Sequence, residues 1–216
     1  MNSFSWDKFN DVPLVAILRG FNHSEAIKIA KSCLKAGFKN IEVTMNSPEA
    51  AKSIESLLKE FGDEMNVGAG TVCNTEELKV AANCGAQFII TPILEPGVIT
   101  SCKKSGLPIF PGAFTPTEIY HAWQLGADIV KVFPATTLSP TYFRDIKGPL
   151  PDIKLMPTGG VGLENLGEFF KAGATAASIG SQLLDKSRIG KQDWDWLEEQ
   201  AKKFVKCYRA VGVQVV

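Results

Sequence analysis

A chain of 216 residues, 45% apolar and 21% charged, has the balance of a soluble globular protein with one substantial core. Its 23 basic and 23 acidic residues cancel, which argues against general attraction to nucleic acid or to an acidic membrane. Five scattered cysteines without a C-x-x-C fit free thiols in a reducing cytoplasm, and two histidines without metal-binding spacing argue against a zinc site.

Residues 1–10 are polar and aromatic and lack the charged start, apolar middle and cleavage site of a secretory signal. They are expected to form a short cap. From there the chain alternates β-branched runs with stretches of helical period. Strand Leu14–Arg19 precedes helix Ser24–Ala36, and strand Asn40–Met45 precedes helix Pro48–Phe61. Strand Val67–Thr71 is followed by helix Thr75–Cys84, and then come strands Phe88–Pro92 and Pro108–Gly112. Helix Pro116–Leu125, strands Ile129–Pro134 and Lys154–Gly159, helix Leu163–Ala172 and strand Ala176–Ser181 complete the pattern, with Asp193–Tyr208 as the last helix.

Gly37, Gly85, Gly106, Gly126 and Gly173 sit where these helices should close before the next strand. Ser47-Pro48-Glu49, Asn74-Thr75-Glu76 and Thr115-Pro116-Thr117-Glu118 carry the capping residues, early proline and early acids of helix starts. Eight strands at about 27 residues per unit predict an α/β fold, a single-domain (β/α)₈ TIM barrel over 1–216 with a C-terminal helix and tail over 191–216. A doubly wound sheet is the alternative, but Leu18-Arg19-Gly20-Phe21 lacks the G-x-G-x-x-G turn of a dinucleotide binder.

In such a barrel the C-terminal strand ends form the active site. Here those ends are polar: Arg19, Glu42, Thr44, Thr71, Thr91, Lys131, Thr158 and Ser181. Lys131 interrupts the apolar run Ile129–Phe133, and alternation puts it on one face with Ile129 and Phe133. A desolvated lysine loses its proton easily and can form a Schiff base, whereas a lysine at a strand tip can also snorkel to water. Glu42, in Ile41-Glu42-Val43-Thr44, places a carboxylate in the same interior. The two can divide nucleophilic and proton-transfer work, or form a structural ion pair. Gly159 and Gly160 after the seventh strand, with Gly180 and Ser181 ending the eighth, have the makings of a phosphate pocket.

The ordered motifs Ile41-Glu42-Val43-Thr44, Gly68-Ala69-Gly70-Thr71-Val72, Phe110-Pro111-Gly112, Val130-Lys131-Val132-Phe133-Pro134 and Met156-Pro157-Thr158-Gly159-Gly160-Val161 resemble the 2-keto-3-deoxy-6-phosphogluconate (KDPG) / 4-hydroxy-2-oxoglutarate (KHG) aldolase family. The resemblance runs from about Val12 to Leu184. It implies a class I aldolase with no metal or other cofactor, a homotrimer, cleaving a phosphorylated 2-oxo acid to pyruvate and glyceraldehyde 3-phosphate. By motif position, Lys131 is the Schiff-base lysine and Glu42 the general acid/base. Thr71 and Pro92 shape the pyruvate end, Phe133 walls it and Thr158 meets the substrate hydroxyls. Gly159, Gly160, Gly180 and Ser181 cradle the phosphate.

One departure stands out. Asn46 occupies the place of an arginine that binds the substrate carboxylate in many family members, and Arg19 is the residue able to replace its charge. The Asn46-Ser47-Pro48 run is similar to 2-keto-3-deoxy-6-phosphogalactonate aldolases, whereas Thr158 follows the gluconate pattern. A sugar-phosphate isomerase, or a barrel that only binds a sugar phosphate, would use the same phosphate pocket without needing Lys131.

Overall fold

The computed structural model describes residues 3–212, so the first two residues of the expected cap and residues 213–216 of the tail lie outside the described residues. Nine strand segments occur in chain order: β1 Leu14–Leu18, β2 Asn40–Thr44, β3 Asn66–Gly70, β4 Ile89–Ile90, β5 Ile109–Phe110, β6 Gly112–Ala113, β7 Val130–Val132, β8 Leu155–Pro157 and β9 Ala177–Ile179. All their pairings are parallel. One sheet runs β5-β4-β3-β2-β1-β9 and a second runs β6-β7-β8.

The two sheets are arcs of one ring. β5 and β6 flank Pro111, which has no N–H to continue the ladder. The next amide, on Gly112, donates to the Thr91 side chain at 3.1 Å, while the Pro111 carbonyl accepts from Lys131 N at 2.9 Å. On the other side a parallel bridge between Thr158 and Ser178 joins the end of β8 to β9. The expected (β/α)₈ barrel is therefore present, with its fifth strand split at a proline.

Alternation sorts the core into two layers. Val15, Phe88, Ile90, Phe110, Ile129 and Met156 turn inward and form a cluster of their own with Phe9, separate from the apolar residues that face the helices. Gly68 makes this inner packing possible, because a Cβ there would stand 2.6 Å from the Phe88 ring.

The expected cap is helix α1, Trp6–Asp11, and it plugs the N-terminal end of the barrel. Phe9 is fully buried 5.5 Å from Phe110, and Phe4 lies 5.5 Å from Phe88. Polar groups fasten this plug. Asn66 accepts from Ser5 N and donates to the Ser5 carbonyl and to Asn40 Oδ1, each at 2.9 Å. Asn40 in turn donates to the Val12 carbonyl at 3.0 Å.

The outer helices are α2 His23–Lys35, α3 Ala50–Phe61, α4 Thr75–Asn83, α5 Pro96–Ser105, α6 Pro116–Gln124, α7 Pro140–Lys147, α8 Leu166–Lys171, α9 Lys186–Gly190 and α10 Trp194–Ala210. α2 and α6 open on capping boxes, Asn22 with Glu25 and Thr115 with Glu118. The five closing glycines all have positive φ, from 73° to 102°.

Two expected starts are wrong. α3 begins at Ala50 rather than Pro48, after Glu49 in the left-handed region. Ser47 does not cap it, because its hydroxyl accepts from Gly20 N at 2.9 Å and bonds Thr44 Oγ1 at 2.8 Å. α8 begins at Leu166 rather than Leu163, because Asn165 bends the chain back, accepting from Gly162 N and donating to the Gly160 carbonyl, both at 2.9 Å. No helix among the described residues is long and apolar enough to cross a membrane.

Candidate active site

β7 carries Lys131 between Val130 and Val132, whose side chains pack toward the helices. Lys131 therefore points inward, one layer above Ile129. It is 1% exposed, and its Nζ lies 5.0 Å from the centre of the Phe133 ring. Burial pushes its ammonium below the usual lysine range. Glu42 acts against this shift and Arg19 adds to it.

Glu42 reaches the same interior from β2, on the opposite wall of the ring, and is also 1% exposed. Burial raises its carboxyl above the usual range, with Lys131 and Arg19 opposing. Both of its oxygens are buried without a hydrogen-bond partner. Neither residue joins an ion pair among the described residues. A structural salt bridge, the ordinary alternative for two such charges, is therefore not what the fold builds.

Space for the carboxylate comes from β3. A Cβ on Gly70 would stand 2.9 Å from Glu42 Cδ and 3.0 and 3.1 Å from its two oxygens. The sequence signal for this lies in Gly68-Ala69-Gly70, two glycines at strand alternation, one facing Phe88 and one facing Glu42.

A cavity of about 560 Å³ lies at the C-terminal end of the barrel. Phe133 lines it, and so does Ile17, the β1 register partner of Glu42, whereas Lys131 and Glu42 themselves do not. The expected phosphate loops, Gly159-Gly160 and Gly180-Ser181, form one wall. Gly160, at φ 70°, packs so close to the Thr136 backbone that a Cβ would stand 2.9 Å from its Cα. Thr158 lines the same wall, and its buried Oγ1 has no hydrogen-bond partner.

Arg19 lines the cavity and donates from Nη2 to Thr71 Oγ1 at 3.5 Å, so it spans from β1 toward β3. Thr71 itself is in the left-handed region at φ 59°. Asn46 is exposed and Pro92 is half-buried, and neither lines this cavity. Pro92 backs the site instead, with its carbonyl against Gly112, where any Cβ would collide with it. Sequence reasoning missed Phe21 and Lys186, which complete the wall. Both lie close in sequence to predicted site residues, Phe21 two residues after Arg19 and Lys186 five after Ser181, but an apolar side chain and a surface lysine carry no motif of their own.

A parallel barrel with an inward amine and carboxylate and glycine loops at its C-terminal end is the arrangement of a carbonyl-processing enzyme of the aldolase type. The family model for KDPG and KHG aldolase matches residues 6–200, and the chain belongs to that family. It is 38% identical over 199 residues to the 2-dehydro-3-deoxy-6-phosphogalactonate aldolase of Escherichia coli (strain K12), covering 92% of this chain and 95% of that protein. It is 33% identical to the 2-dehydro-3-deoxy-phosphogluconate aldolase of Treponema pallidum (strain Nichols), covering 85% and 86%. A crystal structure of KDPG aldolase from Legionella pneumophila, with pyruvate captured as a covalent carbinolamine, superposes with a TM-score of 0.83 at 26% identity, covering 90% and 95%.

Proposed function

We propose that this chain is a class I aldolase that cleaves a 2-keto-3-deoxy-6-phospho sugar acid to pyruvate and glyceraldehyde 3-phosphate. The observation that carries the reading is the buried amine of Lys131 sharing a barrel interior with the unpartnered carboxylate of Glu42. Desolvation favours loss of the Lys131 proton, and the deprotonated amine adds to the C2 carbonyl to give a carbinolamine. Loss of water leaves an iminium. Glu42 takes the C4-hydroxyl proton, the C3–C4 electron pair moves into the iminium to form an enamine, and the aldehyde leaves. Protonation at C3 and hydrolysis then return pyruvate and free Lys131.

Arg19 holds the pyruvate carboxylate in this reading, and Thr71 orients the guanidinium. Pro92 and Phe133 shape the pyruvate end, and Gly159, Gly160, Gly180 and Ser181 hold the phosphate. The gluconate epimer is favoured by Thr158, whose unpartnered hydroxyl is free to meet the substrate hydroxyl. The galactonate epimer is the second reading, supported by Asn46-Ser47-Pro48 and by the similarity to the Escherichia coli enzyme. 4-Hydroxy-2-oxoglutarate, giving pyruvate and glyoxylate, fits the same chemistry. The chain assembles as a homotrimer in this reading.

Pyruvate with borohydride should give a reduced adduct that peptide mass mapping places on Lys131. An unmodified Lys131 would remove the aldolase reading. Cleavage rates of the two epimers and of 4-hydroxy-2-oxoglutarate then choose the substrate. Arg19→Ala should raise the KM for pyruvate in the condensation direction by about tenfold, the loss of one charge-assisted bond. An unchanged KM would exclude Arg19 from carboxylate binding.

A further inference from the structure

We propose that Lys186 is a specificity residue of this site, whose ammonium binds the substrate phosphate and makes the enzyme prefer phosphorylated aldehydes. The proposal rests on the aldolase reading above and adds a residue that lies outside its motifs.

Three observations carry it. Lys186 lines the same cavity as Thr158 and the glycine loops. The residue is exposed, and its side chain lies over the segment that follows β1, with Nζ 6.0 Å from the centre of the Phe21 ring. Nζ also lies 3.0 Å from where a Cβ on Gly20 would stand, so the absence of a side chain at Gly20 leaves room for the ammonium. Finally, Lys186 joins no ion pair among the described residues, whereas Lys52, Lys79, Lys103, Lys171 and Lys202 all do.

The neighbouring charges leave this cation available. Asp185 also lines the cavity, but its carboxylate accepts from Arg188 N at 2.9 Å as the cap of α9. Arg19, the other cation on the wall, leans toward Thr71 on the far side of β2. Backbone amides of the glycine loops can orient a phosphate, but they carry no net charge. A bound dianion gains from a counter-charge, and Lys186, which like Arg19 joins no ion pair among the described residues, is the cation on that wall not engaged with Thr71. A lysine supplies it as a mobile point charge, so the effect falls on binding rather than on the position of the reacting carbons.

The test compares condensation of pyruvate with glyceraldehyde 3-phosphate and with unphosphorylated glyceraldehyde, in the wild type, Lys186→Met and Lys186→Arg. The ratio of the two KM values should shift about tenfold against the phosphorylated aldehyde in Lys186→Met and recover in Lys186→Arg. Inorganic phosphate, titrated calorimetrically into the same proteins, should bind Lys186→Met weaker by a similar factor. An unchanged ratio, or an equal rise in both KM values, would overturn the assignment. If the wild type condenses neither aldehyde, the aldolase reading fails on its own, and the phosphate titration still decides Lys186. Weakened phosphate binding in Lys186→Met then supports the assignment, and equal binding removes it.

Discussion

Lys131 and Glu42 are each taken out of water without a hydrogen-bonded counter-ion, and the fold bears that cost for both. Replacing the pair with neutral groups of similar shape should therefore stabilise the protein. Lys131→Met/Glu42→Gln should raise the free energy of unfolding near neutral pH by about 1–3 kcal/mol, read from urea denaturation, while abolishing activity. The sign follows from the shifts. The lysine is lowered from 10.5, so its penalty is complete below its folded pKa and disappears above 10.5. The carboxyl is raised from 4.5, so its penalty is complete above its folded pKa and disappears below 4.5. The advantage of the double variant should shrink toward either end of the pH range. Gly70→Ala makes the complementary case. Its Cβ would displace the Glu42 carboxylate, so kcat should fall about a hundredfold, the scale of one general acid/base, while borohydride still traps pyruvate on Lys131. Loss of trapping as well would mean that Gly70 supports the whole barrel rather than Glu42.

The helix and strand boundaries divide according to whether their cause is local. Asn74, and Thr115 with Pro116 and Glu118, cap their own helices through bonds of three residues' reach, so those starts were legible in the sequence. Ser47 has the same capping chemistry and is used elsewhere, because the barrel brings Gly20 N, 27 residues away in sequence, to its hydroxyl. Pro111 splits a strand for a reason visible in its formula, yet only the barrel shows that Thr91 takes over the broken ladder. The buried asparagines on β2 and β3 are another tertiary device, tying strand starts to the α1 plug. Asn66→Ala would strand Ser5 N and Asn40 Oδ1, so the unfolding free energy should fall by about 2 kcal/mol with activity per folded molecule retained. A change within measurement error would show that the plug is held by its aromatic contacts alone.

At the scale of the whole molecule, the barrel is closed below by aromatic packing and left open above as a cavity. Phe9 belongs to that lower closure, and Phe9→Ala should cost about 3–5 kcal/mol while the pyruvate adduct on Lys131 still forms. Failure of the adduct in the folded variant would show that the floor also sets the geometry of Lys131. The alternation of strand and helix, the inward phase of Lys131 and Glu42 and the glycine loops could all be read from the chain alone. Each follows from a periodicity or a turn confined to a few neighbouring residues. Closure of the ring decided the rest: that Lys131 and Glu42 share one interior without pairing, that Gly70 clears the carboxylate, that Arg19 rather than Asn46 faces the cavity, and that Lys186 joins it. Those relations set residues far apart in sequence within a few ångströms of one another, and no local pattern of side chains encodes such distances.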